Sequence, residues 1–258
     1  MEILVPVKMV ADLAEELEID ASGKALDRSS LKLRLNEFDE HALEEALLLK
    51  EKLGGRVTLV ALDAPDVDEM LFTGMAKGAD RALKITGVPE GGVSSHRAAR
   101  ILAEVVKSIP YELILTGVQS VEDRDGQLGP LLAGALGLPH VSVVSGVVPA
   151  ADGKAVNVKQ EFAGGVMAEL EVQLPALFGI QAARQSPRYA PVSKVRQLMK
   201  TAKIEEMASP EVDADEGSEV LRFFKPEAAG HAEMLEGGPE EVVDKLFALL
   251  GEKGFVKG

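Results

Sequence analysis

Short apolar runs alternate with amphipathic helical stretches from residue 2 to residue 148, and this alternation restricts the fold more than any single motif does. The runs at residues 2–8 (EILVPVK), 56–62 (RVTLVAL), 81–85, 111–116 and 141–148 are apolar on both faces, as strands buried between two helical layers must be. Between them, Asn36 reads as an N-cap before a helix reaching residue 53, with Phe38, Ala42, Ala46, Leu49 and Leu53 on one stripe and Glu37, Asp39 and Glu40 in its first turn. Further helices are expected up to Met75 with closure at Gly78, over residues 94–107, and over residues 127–136. Strand and helix in strict alternation imply an α/β fold: a doubly wound, mostly parallel, Rossmann-like sheet with right-handed crossovers. Its ligand crevice belongs at the carboxyl ends of the strands, where Pro6, Asn36, Asp63 and Gly117 all fall.

The most informative of these transitions is residues 113–136, LILTGVQSVEDRDGQLGPLLAGAL, where a buried strand stops at Gly117, gives way to a polar loop around Asp123, Arg124 and Asp125, and restarts as a helix at Gln127. The first amides of a helix lack internal partners, so those near Gly126, Leu128 and Gly129 are candidates to face an anion such as phosphate. The same loop reads equally well as an ordinary strand-to-helix connection punctuated by glycine.

Composition removes several classes of function. A net charge of -14 repels nucleic acid, so no nucleic-acid role is expected. With no cysteine there is neither disulfide, thiolate metal site nor cysteine nucleophile, and without a signal-like or membrane-spanning run a cytoplasmic location is expected. The histidines His41, His96, His140 and His231 lack metal-ligand spacing, and G-x-S-x-G, P-loop and G-x-G-x-x-G motifs are missing. No conventional catalytic constellation remains, and no metal is expected.

The second half changes in kind. Alternating stretches at residues 154–160 and 166–173, joined by Ala163-Gly-Gly, and a run at 176–181 are expected to form antiparallel edge strands; residues 17–26 read as a small projecting hairpin. Residues 184–203 gather Arg184, Arg188, Lys194, Arg196, Lys200 and Lys203 in an otherwise acidic protein, which points to an encounter surface. Residues 204–218 read as an extended acidic arm. After it, Pro239 opens a terminal helix whose stripe of Val243, Leu246, Phe247 and Leu250 needs a surface to bury against, either its own domain or another subunit.

Several blocks carry a family resemblance: Asn36-Glu-Phe-Asp-Glu-His-Ala-Leu-Glu-Glu-Ala, Gly78-Ala-Asp-Arg, Gly117-Val-Gln-Ser-Val-Glu-Asp-Arg-Asp-Gly-Gln-Leu-Gly-Pro, Leu174-Pro-Ala and Pro187-Arg-Tyr. In this order and spacing, over residues 1–206, the chain resembles the small (beta) subunit of electron-transferring flavoproteins. The resemblance implies an adenine-nucleotide-binding type of α/β domain, expected over residues 1–203, and pairing with a larger alpha subunit, on which the arm and helix over 204–258 are expected to dock because an extended arm precedes the apolar stripe. It implies an electron carrier without substrate chemistry of its own, passing electrons through an FAD held mainly by the alpha subunit. The donor would be an acyl-CoA or other dehydrogenase and the acceptor a quinone-reducing or ferredoxin-type protein. The beta subunit would hold AMP or a second, electron-bifurcating FAD. Carried over by motif, the nucleotide wall is Pro6, Asn36, Glu37, Phe38, Asp39 and Asp63, then Gly117, Val118 and Gln119, then Asp123 through Gly129. Partner contacts would come from Arg188, Tyr189, Val192, Lys194 and Arg196 and from the terminal stripe.

The chain departs from the family's pattern in two places. Relatives that hold AMP commonly carry Asn where this chain has Gly126; the smaller residue leads us to expect FAD in the crevice. After Tyr189, where relatives present a leucine to the dehydrogenase, this chain has Ala190-Pro-Val-Ser-Lys-Val-Arg, with Val192 as the candidate anchor. The rival function is a stand-alone ATP-binding regulatory module, which would account for the central loop but not for the arm, the terminal helix or Pro187-Arg-Tyr.

Overall fold

A computed structural model describes residues 1–256 apart from 30, 90–91, 152, 214–219, 227–231 and 233. His231 and the later part of the acidic stretch lie outside the described residues. The chain forms two compact units, Met1–Arg222 and Phe223–Gly258.

The first unit opens with β1 (Glu2–Pro6), a short ribbon of β2 (Met9–Ala11) and β3 (Leu33–Leu35), and α1 (Glu37–Leu53). There follow β4 (Arg56–Leu62), α2 (Val67–Lys77), β5 (Arg81–Thr86), α3 (Ser95–Val106), β6 (Leu113–Gly117) and α4 (Leu128–Leu136). The chain continues with β7 (His140–Pro149), β8 (Ala155–Glu161), β9 (Met167–Gln173), β10 (Ala176–Ile180), α5 (Val192–Thr201) and β11 (Glu205–Ala208). Nine strands make one sheet in the order β11-β5-β4-β1-β6-β10-β7-β8-β9. Among the described residues, pairing in this sheet is parallel from β11 to β7 and antiparallel from β7 through β8 to β9.

Period-two alternation explains the two cores. Ile3, Val5, Leu59, Leu113, Leu115 and Phe178 face one side, where α1 supplies Ala42, Leu43, Ala46 and Leu49 and α2 supplies Met70 and Leu71. Leu4, Val60, Leu83, Ile114 and Leu177 face the other, against Ile101, Leu102 and Val105 of α3 and Leu132 of α4. The doubly wound sheet is therefore present, with helices on both faces.

Four readings are corrected or extended by the structure. The run at 176–181 is not an edge strand: β10 lies inside the sheet, parallel to both β6 and β7. Residues 17–26 fold back on themselves as expected, through an antiparallel bridge of Ile19 with Leu26 and the Asp20 and Asp27 amides donating to the Ala25 and Glu18 carbonyls at 2.9 and 2.8 Å, and a second ribbon not expected from the sequence is made by β2 with β3. The cationic segment contains a helix, α5, whose Val195 buries beside Ala76 and Ala190. Glu205–Ala208, expected in the arm, pairs in parallel with β5, so the sheet and the first compact unit run past residue 203.

The second unit contains α6 (Pro239–Glu252). Its start is held by Glu241, whose Oε2 accepts from the Gly238 amide at 3.3 Å, and by Pro239 at the first helical turn. No residue of α6 is buried: Val243, Leu246 and Phe247 are exposed, with Phe247 at 55%. Among the described residues no helix is long and apolar enough to cross a membrane.

Candidate functional site

Strand order reverses between β1 and β6: the chain goes from β1 outward to β4 and β5, then crosses back to β6 and its other neighbours. Helices after the two strands leave in opposite directions, which opens a crevice at their carboxyl ends. Asn36 and Asp39, both buried, close the floor of that crevice. The Lys8 amide donates to Asp39 Oδ2 at 3.0 Å and the Gly117 amide to Asp39 Oδ1 at 3.0 Å, so one carboxylate ties the chain leaving β1 to the end of β6. Asn36 was expected to cap α1, yet it makes no side-chain cap; its Nδ2 donates to the Gln119 carbonyl at 2.9 Å and so links α1 to the central loop. Val118 donates its amide to the Ile180 carbonyl at 3.0 Å, joining the loop to β10 as well. Pro6 is buried under this junction, Phe38 is half-buried, Glu37 is exposed, and Asp63 is exposed at the carboxyl end of β4.

Burial pushes the Asp39 carboxyl up to about 6, against the lowering effects of the Asn36 side chain, the Lys8 amide and charge, and the Gly117 amide. An acid whose folded pKa is raised binds its proton more readily in the folded state, so its contribution to stability grows as pH falls through about 6 and is complete near the unfolded value of 3.8. The shift corresponds to about 3 kcal/mol. Asp39→Asn should remove this component. In urea unfolding at pH 7 to 4, the free energy of the native sequence minus that of the variant should rise on acidification by roughly that amount. A flat difference would show that Asp39 does not titrate in this window.

The loop after β6 is organised by its own carboxylate. Asp123 accepts from the Gln127 amide at 3.0 and 2.9 Å, the Leu128 amide at 3.1 Å and the Ser95 hydroxyl at 2.8 Å. The amides at the start of α4, expected to meet a phosphate, thus already have an acceptor at Gln127 and Leu128. Gly129 is buried in the same turn, and Arg124 and Asp125 are exposed at the loop tip. Gly126 has φ +64°, and a Cβ there would stand 2.4 Å from the Val118 carbonyl oxygen. Backbone geometry alone therefore requires this glycine, and the space beside it is filled by the loop itself.

Sequence reasoning missed Lys8 and Ser120. Lys8 Nζ lies 2.6 Å from Glu122 Oε2 and donates to Ser120 Oγ at 3.3 Å, across the mouth of the crevice. The VPVK run held the lysine, but a pair spanning more than a hundred residues leaves no local signal.

The cationic segment divides in two. Arg184 and Arg188, expected to steer a partner, are consumed internally. Glu45 accepts from Arg184 Nε at 2.7 Å, the Arg184 amide at 3.1 Å and the Val147 amide at 2.9 Å. Glu44 accepts from the Arg188 amide at 2.9 Å and from its guanidinium at 2.9 to 3.1 Å, while Glu51 takes Arg188 Nη1 at 2.6 Å. These carboxylates, Glu44 foremost, raise the Arg188 pKa further. The two arginines strap the chain onto α1. Beyond them Tyr189 is 78% exposed, and Val192, Lys194 and Arg196 project from α5 into solvent. Among the described residues no group of three or more His, Cys, Asp or Glu side chains is arranged to hold a metal.

Residues 24–212 match the electron transfer flavoprotein domain family. The chain is 35% identical to the electron transfer flavoprotein subunit beta of Methylophilus methylotrophus, covering 98% of each chain. It is 32% identical to that of Bradyrhizobium diazoefficiens, with 95% of this chain and 97% of the relative covered. For that of Dictyostelium discoideum the identity is 30%, over 95% of this chain and 97% of the relative. A switch-point crevice, the blocks that build it and similarity along almost the whole length agree: the chain belongs to the electron transfer flavoprotein family, as a beta subunit.

Proposed function

We propose that this beta subunit pairs with an alpha subunit to form a heterodimeric electron carrier, with FAD held mainly by the alpha subunit and an adenine nucleotide held in the crevice between β1 and β6. The observation that carries the nucleotide is the crevice itself: α1, β1, β6 and the central loop are fastened to one another through Asp39 and Asn36, leaving the Asp63 carboxylate and the Lys8 ammonium group at its rim. A carboxylate for ribose hydroxyls and a cation for phosphate suit an adenosine 5′-phosphate unit, which AMP and FAD share. The preference for FAD rested on Gly126, and the loop backbone accounts for that residue, so AMP and FAD become two outcomes of one measurement. A second FAD would bring electron-bifurcating chemistry, dividing an incoming electron pair; AMP would leave a single-flavin carrier.

Exposed apolar residues on α6 supply the alpha-subunit contact, and Tyr189, Val192, Lys194 and Arg196 supply the surface for a dehydrogenase or for the electron acceptor. The subunit needs no catalytic residue of its own in this role. Co-expression with the alpha subunit, followed by acid extraction and chromatography of bound nucleotides, tests the reading. One FAD plus one AMP, or two FAD, per heterodimer is expected. Recovery of ATP from the beta chain alone, with no complex formed, would favour the regulatory-module alternative and overturn the proposal.

A further inference from the structure

Lys8 combines a fixed backbone with a loosely committed head group. Its amide is bound by Asp39 at 3.0 Å and its carbonyl accepts from the Asn36 amide at 3.0 Å, so its stem starts from the floor of the crevice. Its ammonium group meets Glu122 Oε2 at 2.6 Å and Ser120 Oγ at 3.3 Å, with 39% of the lysine side chain and 56% of the glutamate side chain exposed. An ion pair this open to water is weak, and a phosphate dianion competes well for the cation. The opposite wall offers less to an anion than its helix start suggests, because Asp123 already occupies the Gln127 and Leu128 amides. Glu122, Asp123 and Asp125 outnumber Arg124 in the loop, so Lys8, two residues past β1, adds a needed cation beside the switch point.

We propose that Lys8 is the group that reads the 5′-phosphate of the crevice nucleotide, and that Glu122 competes with that phosphate for it, setting how strongly phosphorylated adenosines are preferred over adenosine. The assignment rests on the nucleotide reading above. Ser120 fixes the geometry: its buried hydroxyl accepts from Lys8 and from the Asp123 amide at 3.1 Å, so the lysine and the loop share one anchor whichever anion Lys8 faces.

The two side chains have opposite expected effects, which separates recognition from simple structural clasping. Full-length chain in complex with its alpha subunit, stripped of nucleotide, is titrated calorimetrically with AMP, adenosine and FAD. Lys8→Met should weaken AMP about tenfold, equivalent to about 1.4 kcal/mol, and change adenosine less than about twofold. Glu122→Gln should tighten AMP by about threefold or more and leave adenosine unchanged, and added salt should weaken AMP but not adenosine. If FAD is the ligand that binds, the same Lys8 and Glu122 dependence is expected for its pyrophosphate. Equal losses for AMP and adenosine in Lys8→Met, weaker AMP binding in Glu122→Gln, or loss of the AMP preference in Arg124→Gln instead of Lys8→Met would each overturn the assignment while leaving the crevice nucleotide in place. Binding of none of the three ligands to the native sequence would overturn the nucleotide reading and this assignment together.

Discussion

Gly117→Ala is expected to destabilise the chain by about 3 kcal/mol or more and to abolish the nucleotide binding proposed for the crevice. A Cβ at this position would lie 2.4 Å from Asp39 Oδ1, 2.7 Å from Phe38 Cβ and 2.8 Å from the Asp39 amide nitrogen. None of these is the free end of a flexible side chain. Phe38 and Asp39 sit in the first turn of α1, and the carboxylate is held by the Lys8 and Gly117 amides. Relief requires α1 to retreat from β6, which breaks the Gly117 bond and pulls Asn36 away from Gln119. Overpacking contributes about 1–3 kcal/mol, and a lost hydrogen bond to a charged group about 1.5–3 kcal/mol. Gly134→Ala is the matched control: it lies in α4, its Cβ would meet nothing within 4 Å, and alanine favours a helix interior by up to about 1 kcal/mol. Chemical unfolding and nucleotide content of both variants check the prediction; equal stability for the two would mean that α1 and β6 are less rigidly joined than the geometry requires.

The sequence revealed elements whose side chains announce their own surroundings. β4 spans the residues expected for it, and α1 begins after Asn36, because an all-apolar strand and an amphipathic helix each encode burial locally. β10 was placed at an edge because five apolar residues carry no sign of strand direction, and two antiparallel strands precede it. β11 reads as arm in sequence because Glu-Glu-Met-Ala has little to bury; it joins β5 through backbone hydrogen bonds, aided by Arg81, whose Nε and Nη2 each donate to Glu205 at 2.6 Å. The crevice residues Asn36, Asp39 and Gly117 were legible through the family blocks, although the bonds they make were not. Glu44 and Glu45 carry no local sign of their role, because the arginines they hold lie about 140 residues further along the chain. Gly126 shows the converse: its φ of +64° and the nearby Val118 carbonyl are a backbone requirement that the sequence alone does not distinguish from a ligand requirement.

That concealed carboxylate face supplies the other large effect. Glu45 is fully buried, and its oxygens answer three donors on two different segments. Glu45→Leu should cost about 2–4 kcal/mol, toward the low end of breaking a buried pair, because the Arg184 side chain is 31% exposed and can turn to water. Two backbone amides, of Val147 and Arg184, would still lose their acceptor. The consequence for function is distinct from the loss of stability. Residues 183–188 are held on α1 by His41, whose Nδ1 accepts from the Ala183 amide at 3.2 Å, then by Glu45, Glu44 and Glu51 in succession, and Tyr189 follows directly. The exposed tyrosine is therefore aimed by α1, while α5, seated on α2 through Val195 and Ala76, carries Lys194 and Arg196 on its solvent side. Arg188→Lys keeps the charge but cannot bridge Glu44 and Glu51 with a planar fork. If Tyr189 meets a dehydrogenase as proposed, this variant should reduce electron transfer with that partner severalfold at every ionic strength, and speed amide hydrogen exchange at residues 183–189. Lys194→Glu should instead slow encounter most at low salt and leave exchange unchanged, since exposed charges act mainly on association rate. If Arg188→Lys matched the native rate, or if its loss vanished in high salt, the strap would be a stabilising contact with no part in presenting Tyr189.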